Sequence, residues 1–209
     1  MNYLEALSRR YSVKKFKPDI KVPESTLLNI LESGKLSASS QGLQPYKIFV
    51  IQSNDMLQKL IPAFYNPSQI TTCSHLVVIV SKKTIEDHYI NGYFNHISEV
   101  RNIAPEQLTS FKNNINQHIN QQTENELLNW AEKQSYIVLA NLMYAAALEN
   151  VDTCPMEGFR QDVLEKILEI DSKIEKVTVT LALGYRSEED QFQYMKKVRK
   201  PNEKLFKFI

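Results

Sequence analysis

Glycine is scarce in this sequence. Its 209 residues include five, Gly34, Gly42, Gly92, Gly158 and Gly184, and no two are close enough to form G-x-G-x-x-G, a phosphate-binding P-loop or a G-x-S-x-G nucleophile elbow. A bound nucleotide would have to be held by side chains and isolated amides. Cysteine is scarcer still. Cys73 and Cys154 cannot make a disulfide framework at this length and read as free thiols in a reducing, cytoplasmic compartment. The four histidines, at 75, 88, 96 and 118, lack metal-ligand spacing, so no metal is expected. No apolar run approaches the roughly 18 residues of a membrane span, and "MNYLEALSRR" has no long apolar core, so neither a membrane nor a secretion signal is expected. Net charge is only +1, which gives no global field for nucleic acid.

Charge is present locally. "RRYSVKKFK" (9–17) holds five cations in nine residues, and "KKVRK" (196–200) holds four in five. Neither run contains an acid. The remaining 16 basic and 24 acidic residues leave the rest of the chain at about −8. Two basic patches on an acidic background suit a local anionic ligand. Solvated surface runs are the plainer alternative.

The hydrophobic pattern predicts helices separated by a few strands. "NYLEALSRR" reads as a short helix. "VPESTLLNILESG" reads as a second, with Pro23 at its start, Gly34 at its end and Leu27, Ile30 and Leu31 on one face. "YKIFVIQ" (46–52), the continuous apolar run "HLVVIVS" (75–81), "VDTCPM" and "KVTVTLALGY" (176–185) read as strands. "RQDVLEKIL" is a further helix. Residues 86–123 are rich in Asn and Gln and read as exposed helices leaving the core. Residues 124–150 form a long helix, apolar nearly all round from Ile137 to Leu148, and so a central core element. No linker or repeat interrupts the chain, so one domain over 1–209 is expected, of α/β or α+β class.

The opening basic run has its own geometry. If residues 10–14 are extended, Arg10, Ser12 and Lys14 face one side and Tyr11 and Val13 the other. The row then spans about 13 Å, which suits a ligand with a phosphate at one end and a polar ring at the other.

This stretch resembles the R-x-S-x-K opening of the FMN-dependent NAD(P)H nitroreductases. The resemblance continues in family order through "SASSQGLQPYKIFVI" (37–51), "YNPSQ" (65–69), "WAEKQSYIVLANLMYAAALENVDTCPMEGF" (130–159), "LALGY" (181–185) and "KKVRKP" (196–201). It implies an α+β fold: a three-layer α/β/α sandwich around a small mixed, mainly antiparallel sheet, with a long central helix and a C-terminal arm laid on a partner subunit. The tail "NEKLFKFI" alternates apolar residues as such an arm would.

By the same resemblance Arg10, Ser12, Lys14, Lys197 and Arg199 contact the phosphate and pyrimidine edge of FMN. Asn66 contacts the ring, and Gln69 stands where some relatives carry a second Lys beside it. Glu157 and Gly158 belong to the loop whose amide faces flavin N5. Ser39 and Ser40 come from the other subunit, and Gln134 approaches the flavin. On the residues alone, Ser39 and Ser40 could equally end a helix, Gln134 could be a surface residue and Gly158 a turn. Gln41 and Gly42 depart from the family's serine loop. The 86–123 excursion would cover the substrate, with Phe111 or Ile115 facing the pocket. No side chain is assigned as acid, base or other catalytic residue, since the flavin does the chemistry. The expected protein is a homodimer with flavin sites at its interface. It takes a hydride from NADH or NADPH and reduces a nitroaromatic or quinone-like acceptor by a ping-pong mechanism. Alternatives are enone reduction, dehalogenation or dehydrogenation on the same scaffold, or non-catalytic flavin binding.

Overall fold

The computed structural model describes residues 2–209; Met1 lies outside the described residues. In chain order the elements are α1 (Tyr3–Arg9), α2 (Glu24–Lys35), β1 (Tyr46–Ile51), α3 (Asn54–Leu60), α4 (Ser68–Thr72), β2 (His75–Lys82), α5 (Asp87–Arg101), α6 (Thr109–Asn120), α7 (Glu124–Leu148), β3 (Asp152–Met156), α8 (Gln161–Ile167), β4 (Glu175–Gly184) and α9 (Asn202–Leu205). The strands form one sheet in the order β1-β2-β4-β3, with every pairing antiparallel. The parallel component of the expected mixed sheet is confined to an isolated bridge between Ser12 and Thr153.

The sheet is buried on both faces, which explains the unbroken apolar run of β2. Leu76, Val78 and Val80 enter a core shared with α3, α4 and α8, whereas Val77 and Ile79 enter one shared with α2 and α7. In β4, Val179, Leu181 and Leu183 face the α2/α7 side. A bulge opposite Ile79 and Val80 shifts the register, so that Val177 joins the opposite core. The extra residue, Thr178, hydrogen-bonds Ser81 at 2.6 Å. The result is the expected three-layer α/β/α sandwich.

Three expectations change. The second helix does not end on Gly34. It continues through Lys35, and Gly34 lies where α2 crosses α7, close enough that a Cβ would sit 2.8 Å from Leu142. The glycine is kept for interhelix contact rather than for capping. The excursion is not a set of merely exposed helices. Ile90, Phe94 and Ile97 of α5 pack with Ile115 and Ile119 of α6 and Leu127 of α7 in a third core. Ile115 is therefore interior, and Phe111 lies edge-on against Phe94. Finally, α7 buries only one face in this chain. Tyr136, Ile137, Tyr144 and Leu148 remain about 40% exposed opposite the buried Val138, Leu139, Leu142 and Ala146.

Candidate functional site

After α1 the chain turns extended at Arg10 (φ −68°, ψ 142°). Val13 N donates to Thr153 O at 3.1 Å, which pins the segment beside β3. Val13 and Phe16 are fully buried. Gly184 makes room for this anchor, because a Cβ there would sit 2.9 Å from the Phe16 ring. With Val13 and Phe16 fixed inward, the segment places Arg10, Ser12 and Lys14 on the wall of a cleft of about 540 Å³, and Tyr11, expected on the opposite side, lines that cleft as well. Lys197 and Arg199 line the same cleft, so the two basic runs meet.

The meeting is held by an acid that sequence reasoning missed. Asp190, 3% exposed, accepts the Lys14 amide at 2.7 Å, the Lys15 amide at 3.3 Å and the Phe192 amide at 3.1 Å. Burial pushes its carboxyl up, but these amide bonds outweigh burial and hold it below the usual carboxylate range. It ties the opening segment to the loop that leads into the second basic run. Asp152 does related work. It is buried and grips Arg186, whose Nε lies 3.0 Å from both carboxylate oxygens.

The cleft holds more positive charge than its own acids balance. Burial lowers the Arg10 pKa, and neighbouring Arg199 lowers it further. Lys197 is lowered by burial, then by Arg10, Arg199 and Arg186. Among the described residues, Arg10, Lys14, Lys197 and Arg199 form no ion pair. Lys15 and Lys17, from the same run, are neutralised outside the cleft by Glu189 and Glu188. Arg10 Nε is buried with no hydrogen-bond partner.

Lys14 also lines a second, smaller cavity of about 280 Å³, together with Tyr65, Asn66, Gln69, Glu157 and Gly158. Asn66 accepts the Ser68 amide at 3.2 Å at the start of α4. Gln69 is 3% exposed; its Nε2 faces Cys154 Sγ at 3.9 Å, and its Oε1 is buried without a partner. A Cβ on Gly158 would meet only Tyr65, at 3.8 Å, so packing within the chain does not require glycine there. Tyr136 of α7 donates to the Glu157 carboxylate. Burial, then that hydrogen bond, push its phenol up to about 12.

Ser39, Ser40 and Gln134 form a separate group that lines neither cavity. Gln134 is buried rather than superficial. Its Oε1 accepts the Ser40 amide at 2.8 Å, and its Nε2 donates to Trp130 O at 3.0 Å. Ser39 Oγ accepts the Gln44 amide at 3.0 Å. The sequence-predicted residues thus fall into two sets within one chain.

The nitroreductase family model matches residues 7–185. The chain belongs to the nitroreductase family and is an oxidoreductase of that family. It is 37% identical to a provisionally named NAD(P)H nitroreductase of Staphylococcus haemolyticus, over 99% of this chain and 96% of the relative. Among solved structures it is similar to a provisionally named nitroreductase of Exiguobacterium sibiricum, crystallised in complex with FMN (TM-score 0.86, 19% identity, 100% of this chain and 98% of the other). It is equally similar in fold to a gut-bacterial enone reductase, CLA-ER, of fatty-acid biohydrogenation (TM-score 0.85, 19% identity, 100% and 98% coverage).

Asp152, a lone acid at the start of β3, and Asp190, in a polar loop, belong to no apolar periodicity and were not singled out. The one available clue was that Asp190 closes the acidic run "EED" just before the second basic run.

Proposed function

We propose that this chain is one FMN-binding domain, and that it acts as an FMN-dependent NAD(P)H oxidoreductase reducing nitroaromatic or quinone-like acceptors by a ping-pong mechanism. The observation that carries the reading is the pair of cavities joined at Lys14, one strongly cationic and one nearly neutral. The residues fit the cofactor at both ends. Arg10, Ser12, Lys197 and Arg199 would hold the phosphate, and the unpartnered Arg10 Nε is a donor awaiting an acceptor. Gln69 and Asn66 would meet the polar edge of the ring, where the orphaned Gln69 oxygen is an acceptor awaiting a donor. Gly158 leaves its backbone open to a close approach.

Bound FMN would supply hydride acceptance from the nicotinamide and electron delivery to the acceptor. The protein's own work is to bind, orient and tune. Lys14 stabilises negative charge at the pyrimidine edge. The Glu157–Gly158 segment, steadied by Tyr136, offers backbone amides to the ring. Asp190 keeps Lys14 in register with the phosphate end.

The proposal includes a cytoplasmic homodimer in which Ser39, Ser40 and Gln134 complete the partner's site. The exposed apolar side of α7 and the exposed tail residues Phe206 and Phe208 support it. No described helix is long and apolar enough to cross a membrane.

Enone reduction is the second reading, since the same fold serves an enone reductase, CLA-ER. Purified protein should be yellow and release FMN on denaturation. Under anaerobic conditions its flavin absorbance should bleach with NADH or NADPH and return on adding a quinone or nitroaromatic. Release of FAD, or no flavin after reconstitution, contradicts the cofactor. Bleached flavin that only an enone reoxidises selects the second reading, and flavin that neither nicotinamide bleaches makes the protein a non-catalytic binder.

A further inference from the structure

The loop carrying Ser39 and Ser40 holds an unusual backbone. Gln41 (φ 58°), Gly42 (φ 72°) and Gln44 (φ 45°) all lie in the left-handed region. For the two glutamines this conformation crowds Cβ against the backbone, so surrounding contacts must impose it. Two tyrosines of α5 supply them. Tyr93 donates to Gln41 O at 2.9 Å, and the Tyr89 hydroxyl lies 2.9 Å from Leu43 O and 2.7 Å from Gln44 O. Gln134 holds Ser40 from the other side. Leu43 is 2% exposed and belongs to the excursion's core.

Gly42 and Tyr93 are fitted to one another. A Cβ on residue 42 would overlap the Tyr93 hydroxyl oxygen, with the next ring atom 3.3 Å away. The Tyr93 hydroxyl therefore occupies the space that a side chain at 42 would take. The glycine at 42, which departs from the family's serine loop, has its explanation here; nothing in the structure explains the glutamine side chain at 41.

We propose that Tyr89 and Tyr93 are positioning residues that latch the 86–123 excursion to the serine loop, so that α5 sets the placement of Ser39 and Ser40 and through them the hold on the cofactor. This rests on the FMN reading above. Each tyrosine is one helical turn from the other on the same face of α5, so a shift of the helix moves Gln41, Leu43 and Gln44 together. Loss of either hydroxyl frees the strained loop without touching the phosphate cleft or the ring cavity.

The test compares wild type with Tyr89→Phe, Tyr93→Phe, Gly42→Ala and the double variant Gly42→Ala/Tyr93→Phe. FMN dissociation is followed by recovery of flavin fluorescence, amide exchange is followed across residues 40–46, and thermal unfolding is measured on the same samples. Each Phe variant should keep the wild-type unfolding temperature within a few degrees, weaken FMN by about three- to tenfold, and speed exchange in 40–46. Gly42→Ala should weaken FMN more, and Tyr93→Phe should restore part of that loss by removing the overlapping oxygen. Unchanged FMN affinity and exchange in both Phe variants would overturn the latch. So would a Gly42→Ala penalty that is the same with and without the Tyr93→Phe change. A wild-type protein that takes up no FMN would instead overturn the cofactor reading, and the latch's role with it.

Discussion

The two cavities that share Lys14 are opposites. The larger gathers Arg10, Lys197 and Arg199 with no acid paired to them, and burial, then neighbouring cations, lower the pKa values of Arg10 and Lys197. The smaller sets Lys14 and the Glu157 carboxylate, which Tyr136 binds, among amides: Gln69, Asn66 and the backbone around Gly158. Unbalanced charge gives grip on an anion, whereas neutral dipoles around one cation set how readily an adjoining group takes up negative charge. On the proposed FMN reading, the difference gives affinity to one end of the site and redox tuning to the other.

The largest expected effect tests the grip. Arg10→Ala should weaken FMN by about 2–5 kcal/mol, the cost of stripping one side from a buried charge contact, and should leave the potential of whatever FMN still binds nearly unchanged. An unaltered dissociation constant would remove Arg10 from the site.

Asp190→Asn should come next, because it loosens the tie between the two basic runs. At neutral pH it should destabilise the fold by about 1–3 kcal/mol, since amide donors lose a charged acceptor. Against burial, the amides of Lys14, Phe192 and Lys15 hold the Asp190 carboxyl below the usual carboxylate range in the folded chain. Its contribution is therefore complete above the unfolded value and fades as pH falls through the folded value. Urea unfolding should show a constant gap between wild type and variant from about pH 8 to about pH 5, and a narrowing gap below the ordinary carboxylate value of about 3.9. A gap that widens in acid would have the sign wrong.

Gln69→Lys sharpens the other end. A second cation beside Lys14 should raise the flavin's two-electron potential by roughly 30 mV for each 1.4 kcal/mol of added stabilisation, with little change at the phosphate. A fall in potential on redox titration would mean that residue 69 does not face the ring. The smallest effect belongs to Lys15→Ala. Its ion pair with Glu189 is exposed on both sides, and such pairs contribute about 0–1 kcal/mol. Despite lying in the same basic run, it should change FMN affinity by less than about twofold.

The contrast also marks what could be read from sequence. The both-faces burial of β2 and the long α7 follow from local period and reach, and the structure carries both; it also brings Arg10, Ser12 and Lys14 to one cleft, but Tyr11, expected on the far side, lines it with them. Gly34, Asp190 and the Tyr89/Tyr93 latch depend on partners more than 40 residues away and leave no periodic trace. The excursion's own core was hidden for another reason. Its apolar residues are diluted by Asn and Gln on the opposite faces, so composition read as exposure although the spacing of Ile90, Phe94 and Ile97 is helical. The exposed side of α7 shows the converse. The sequence made the helix apolar all round, and one chain covers only part of it.

Central to the proposed reading is a shared site, in which one chain would supply the phosphate and ring contacts and the other the serine loop. The direct test is a doubly tagged mixed dimer. One chain carries Lys197→Ala with Arg199→Ala, and the other carries Ser40→Trp, at a residue whose side chain is exposed in the single chain. Each variant homodimer should be folded and empty of flavin. In the mixed dimer, an intact basic cleft meets an intact serine loop at one site only, so a shared site predicts one bound FMN per dimer and recovered activity. A folded mixed dimer with no flavin would contradict it, because that result places both groups in the same chain's site.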